Sequence, residues 1–234
     1  MAPVTDPAPL HRQLVAELLG TALLVAVVVG SGIAAQSLSP GDTGLQLLEN
    51  SLATALGLFV LIAVLGPVSG AHLNPVVTLA VLVADLRDGV RAPSWTSTVA
   101  YVVAQVVGGV AGAVLANLMF DEPTRLAATE RATGPHVVAE VVATAGLVLV
   151  VLALARTGRA VLAAPAVAAY IGAAYWFTSS TSFANPAVTV GRMFSDTFAG
   201  IDPASAPAYV GAQVVGAALG LALALYLFPR RSAG

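Results

Sequence analysis

Two asparagines have the clearest chemical use in this sequence: Asn74, in Ser69-Gly-Ala-His-Leu-Asn-Pro-Val76, and Asn185, in Ser182-Phe-Ala-Asn-Pro-Ala187. A side-chain amide offers two N–H donors and a carbonyl acceptor. A pair of them can therefore exchange hydrogen bonds with a neutral hydroxylated molecule that has left its water. Each asparagine is followed by a proline, Pro75 or Pro186, which at the first helical position lacks only an N–H that would go unpaired anyway. Both motifs read as a loop that turns into a short helix. Four charged or titratable residues join them as candidates: Glu17, Glu140, His72 and Arg192. There is no cysteine, no group of His and carboxylates has metal-ligand spacing, and no Ser-His-Asp arrangement is suggested. No metal, cofactor or catalytic residue is expected, and the chain is not expected to be an enzyme.

The elements that must position these residues are apolar. The composition is 58% hydrophobic and 9% charged, without lysine, at a mean hydropathy of +0.89, which is outside soluble compositions. Segments of spanning length read at 14–35, 47–66, 97–119, 136–155, 160–178 and 207–228. The first is too long for a signal peptide, carries Glu17 and has a later copy, so it reads as a span. Ala16-Glu17-Leu-Leu-Gly-Thr matches Ala139-Glu140-Val-Val-Ala-Thr, and Tyr101-Val-Val-Ala-Gln105-Val-Val-Gly108 matches Tyr209-Val-Gly-Ala-Gln213-Val-Val-Gly216. The expected fold is therefore all-α in a single membrane domain, 1–234, of two repeats at about 12–119 and 136–228. Each repeat holds three spans with an Asn-Pro loop after the second, and an odd span count inverts the second repeat. Gly108, Gly112, Gly216 and Gly220 read as sites of close helix approach.

Arginine placement gives the orientation. With a cytoplasmic N terminus, that side holds Arg12, Arg87, Arg91, Arg156, Arg159, Arg230 and Arg231, leaving Arg125, Arg131 and Arg192 outside. Both termini are then cytoplasmic, in a multi-pass protein of the plasma (inner) membrane. Membrane lipid is an expected partner and nucleic acid is not.

The helices from Asn74 to Ala84 and from Asn185 to Ser195 each rise about 15 Å, half of a hydrocarbon core. Irregular backbone at that depth is tolerated where it lines a wet cavity. Two helix N-termini meeting at the midplane would repel a cation there. A passive path for small neutral solutes follows. Glu17 and Glu140, at equivalent places inside spans, read as acceptors for N–H groups of the loop in their own half. The default reading of such a residue is an ion or proton site. His72 reads as a packing residue near the loop, with a pH gate as its rival.

These residues together resemble the major intrinsic protein family, the aquaporins and aquaglyceroporins, over essentially the whole chain. The match rests on the opening Ala16-Glu17-x-x-Gly-Thr21, Ser69-Gly-Ala-His-Leu-Asn-Pro75, Gln105, Gln213 and Asn185-Pro186-Ala187. The resemblance implies a homotetramer with one pore per subunit. Val76 stands where the family has alanine, and Val188 where it has the arginine of the outer selectivity filter. Counting from the asparagines puts the other filter positions at Thr54, Ala173 and Ser182, all small, so the filter is expected to be wide. A slip of one residue would bring in Ala55, Ala174 or Phe183.

Arg192, one turn beyond Val188, is expected to line the outer vestibule and partly replace the missing charge. The rival is a pair with Asp196 or headgroup contact. Val188, the run to Met193-Phe194 and Trp176-Phe177 resemble a bacterial subgroup associated with arsenic resistance, implying passage of arsenite and methylated arsenicals beside glycerol-like solutes. A water-selective channel, a secondary transporter of inverted-repeat type and a structural junction protein are the alternatives.

Overall fold

The computed structural model describes residues 8–90 and 93–230, and Arg91 and Arg231 lie outside the described residues. In chain order the helices are α1 (Leu10–Leu38), α2 (Thr43–Ser69), α3 (Pro75–Arg87), α4 (Trp95–Met119), α5 (Gly134–Arg156), α6 (Ala163–Phe177, after a 3-10 turn at Ala160–Leu162), α7 (Pro186–Arg192) and α8 (Ala206–Leu227). Among the described residues six helices are long and apolar enough to cross a membrane, α6 counting with its turn. α3 and α7 are the two half-helices.

Local chemistry sets the helix starts. Asp42 accepts from the Leu45 N–H at 2.9 Å and Ser94 from the Ser97 N–H at 3.0 Å, so each fills an orphan donor of a first turn. Asn74 and Asn185 do the same for α3 and α7, each accepting through its side-chain oxygen with proline next.

The long helices are apolar on all sides, so small residues rather than an amphipathic stripe choose the packing faces. A β-carbon on Gly108 or Gly112 would run into the α1 backbone at Leu18 or Ala22, and one on Gly216 or Gly220 into the α5 backbone at Val141 or Ala145. Both glycine pairs therefore serve crossings within one chain, α1 with α4 and α5 with α8, the same crossing in each repeat.

The half-helices differ from expectation in length. α3 has 13 residues and α7 only 7, about 20 Å and 10 Å of rise, which together still cross one hydrocarbon core. α7 stops before Ser195 because the Phe194 carbonyl accepts from the Asn117 amide at 2.9 Å while the Ser195 hydroxyl donates to the Asn117 side-chain oxygen at 2.8 Å. Those contacts pull the chain off the helical path and onto α4.

Two of the arginines assigned to one membrane side meet at a single carboxylate: Asp88, which follows α3, pairs with Arg156 of α5 and with Arg230 at 3.3 Å. The Arg156 side chain is 5% exposed and its Nε also donates to the Phe228 carbonyl. Removing one partner of a buried pair strands the other charge, at a cost of about 3 kcal/mol or more. Asp88→Ala is therefore expected to lower the thermal unfolding midpoint of the detergent-purified protein by roughly 6 to 12 °C, whereas Arg125→Ala, which removes a 62% exposed side chain from its pair with Asp196, should leave it nearly unchanged.

Candidate functional site

The two Asn-Pro loops enter the bundle from opposite ends and meet. The Asn74 amide donates to the Ala184 carbonyl at 2.8 Å, and the Asn185 amide donates to the Leu73 carbonyl at 2.7 Å. One N–H of each asparagine is thus committed to the opposite loop, and its side-chain oxygen to its own helix, at Val76 N–H and at Ala187 and Val188 N–H. The second N–H of each is left for an oxygen in the cavity that both residues line. Pro75, Val76, Pro186 and Ala187 are buried behind the asparagines and line no part of it.

Behind each loop sits the carboxylate of the same half. Glu17, fully buried, accepts from the Ser69 hydroxyl at 2.6 Å, the His72 and Leu73 N–H groups at 3.0 and 2.7 Å, and the Gln105 amide at 2.8 Å. Glu140, also fully buried, accepts from Ser180, the Phe183 and Ala184 N–H groups and Gln213 at 2.7 to 2.9 Å. The loops need this support because Ala71, Leu73, Ser182 and Ala184 all have positive φ, from 47 to 51°. Non-glycine residues there cost about 1 kcal/mol or more each. The paired donors offset that strain.

Holding the N–H groups outward leaves the carbonyls free. Those of Gly70, Ala71, His72, Ser182 and Phe183 accept no hydrogen bond among the described residues, and all five residues line the cavity. Facing them, α2, α5 and α6 present Leu58, Ile62, Leu147, Val151, Val167 and Ile171. The passage, about 100 Å³ open to the centre of a water-sized sphere, has a polar stripe on one side and an apolar wall on the other. A chain of hydroxyls on a hydrocarbon or compact core matches both. His72 borders this cavity through the loop; its Nδ1 lies 3.1 Å from the Thr78 hydroxyl and its ring 5.7 Å from that of Tyr101.

At the level of the second loop Thr54, Ser182 and Val188 line the cavity, but Ala173 does not. Ala163, Val167, Ile171 and Tyr175, each four residues on, form the inward face of α6, and Ala173 lies about 200° around the helix from Ile171, exposed. The inward position is Tyr175, whose hydroxyl is 3.2 Å from that of Thr54. The sequence-level picture of four small filter residues is corrected accordingly: Tyr175, Phe183 and Arg192 stand among the lining side chains. Neither Ala55 nor Ala174 lines the cavity, whereas Phe183 does.

Arg192 is 2% exposed and lies over the Phe183 ring, its guanidinium carbon 3.4 Å from the centroid, with Nε donating to the Ala199 carbonyl. It does not pair with Asp196, which holds Arg125 at 3.2 Å and the Ala128 N–H at 3.0 Å. Sequence reasoning passed over Arg131. From the loop after α4 it sits 5.4 Å from the same ring, tied to the Gly200 and Phe198 carbonyls at 2.7 and 2.9 Å. Burial lowers its pKa from the ordinary arginine value. No group of three or more His, Cys, Asp or Glu able to hold a metal occurs among the described residues.

Spanning helices around two half-helices that meet head to head, with a mostly apolar passage that carries a polar stripe beside them, define a membrane channel built as an inverted repeat. The family model described as major intrinsic protein matches residues 5–184, and the chain belongs to that family. An aquaglyceroporin, AqpS, of Rhizobium meliloti (strain 1021) is 48% identical over 223 residues, covering 93% of this chain and 91% of that protein. Aquaporin NIP2-1 of Oryza sativa subsp. japonica is 33% identical over 206 residues, covering 83% of this chain and 65% of that one. The X-ray structure of the aquaglyceroporin from Plasmodium falciparum superposes with a TM-score of 0.67 at 20% identity, over 92% of this chain and 95% of that chain. The protein is thus a multi-pass membrane channel for small neutral solutes and not an enzyme.

Proposed function

We propose that the chain passes glycerol-like polyols and uncharged arsenite, with methylated arsenicals as larger candidates, by passive flow through this cavity. The observation that carries the reading is the row of unpaired loop carbonyls opposite an apolar wall. Such carbonyls at membrane depth exchange hydrogen bonds with a passing hydroxyl, and the wall receives the solute's non-hydroxyl face. Two helix N-termini at the centre supply a positive field that disfavours cations. Val188 in place of an arginine supports the wider solutes, while Tyr175 and Phe183 bound the width more tightly than a collar of small residues would. The relative AqpS bears the name aquaglyceroporin, which agrees with polyol passage.

The same reading takes the active form as a homotetramer in the inner membrane, 1–234 forming one channel domain, with both termini cytoplasmic and Arg12, Arg87, Arg156, Arg159 and Arg230 on that side. Uptake of glycerol, arsenite and a larger polyol into proteoliposomes, against protein-free vesicles, tests it. Glycerol and arsenite should enter faster than into bare lipid and the larger polyol least. Water flux without glycerol or arsenite flux would show a water-selective channel instead.

A further inference from the structure

Arg192 is a nearly buried cation with a single protein acceptor, the Ala199 carbonyl, reached by its Nε. A guanidinium carries five N–H donors, and its two terminal nitrogens have no partner among the described residues. None of the three ion pairs among those residues includes it. A buried charge without a counter-ion is costly unless water or an aromatic face compensates it. Here Phe183 provides that face, itself fixed edge-on by Tyr209 at 5.0 Å between ring centroids. Arg131 adds a second positive charge against the same ring. The free end of Arg192 borders the cavity one helical turn outside Val188.

We propose that Arg192 is a specificity-determining residue of the outer mouth. Seated on Phe183, it donates its terminal N–H groups to the oxygens of an entering hydroxylated solute, and its charge excludes cations, protons included. Displacing this charge by one turn keeps charge selection while leaving the level of Thr54 and Val188 free of a guanidinium. The inference rests on the channel reading above, deepening it by naming the group that discriminates between neutral solutes and cations.

The test compares wild type, Arg192→Gln, Arg192→Ala and Arg192→Lys in proteoliposomes. Glycerol influx is read by light scattering, and proton influx under an imposed potential by a trapped pH-sensitive dye. The Gln and Ala variants should raise proton influx about tenfold, equivalent to a barrier lower by about 1.4 kcal/mol, and slow glycerol influx in part, alanine more than glutamine because it keeps no donor for the solute. Arg192→Lys should stay near wild type. Proton influx unchanged in Arg192→Gln, with glycerol influx retained, overturns the proposal. Loss of glycerol influx in both the Gln and Lys variants, with unfolding midpoints unchanged, overturns it too, since Arg192 would then serve only to hold the Ala199 turn. Arg192→Gln keeps a donor for that carbonyl, so it reports even if the alanine variant does not fold. Wild-type protein impermeable to glycerol refutes the polyol-passing reading instead, before any variant is compared.

Discussion

Val188→Arg should cut glycerol influx into proteoliposomes by roughly tenfold or more, a barrier rise of at least about 1.4 kcal/mol, with arsenite and larger polyols losing more and water less. Val188 is 5% exposed and lines the cavity with Thr54 and Ser182. Tyr175 and Phe183 line the same passage, so an arginine stem and head at that level consume much of its width. Its charge would also stand four residues from Arg192 on one helix face, a repulsive arrangement, and force one guanidinium across the lumen. Val188→Ala is the control for size without charge and should leave glycerol influx equal or higher. The measurement is initial influx under a solute gradient at matched protein incorporation. Equal glycerol influx in wild type and Val188→Arg would place the narrowest level elsewhere.

Glu17→Ala and Glu140→Ala should each abolish most solute influx and lower the unfolding midpoint by roughly 10 °C or more. Each change strands four donors that the carboxylate now satisfies, at about 1–3 kcal/mol for a buried one. It also frees left-handed loop residues to relax, turning carbonyls away from the cavity. Glu17→Gln keeps one acceptor but sets an amide N–H against the Leu73 N–H or the Gln105 amide, so a partial loss of both stability and flux is expected. A variant that kept its stability while losing proton dependence of transport would identify Glu17 as a coupling group and the protein as a transporter.

Much of this arrangement was legible in the sequence where a residue type was forced. A carboxylate inside a span, an asparagine before a proline and a glycine at a helix crossing each have few physical uses, and their repetition in two halves fixed the inverted fold. What could not be read was orientation. α6 is apolar all around, so no stripe distinguished the Tyr175 face from the Ala173 face, and counting residues through a loop of left-handed turns misplaced the level. Arg192 was placed near the mouth, yet its seat on Phe183 depends on Ala199 and Arg131, brought there by segments with no local signal. The shortness of α7 likewise follows from Asn117, a residue of another helix.

The central claim is passive flow of neutral hydroxylated solutes through the passage between the half-helices. Initial glycerol influx across a wide range of gradients, with and without a protonophore, tests it most directly. Influx proportional to the gradient and indifferent to the protonophore is the expected result. Influx that saturates and collapses when the proton gradient is dissipated would contradict it.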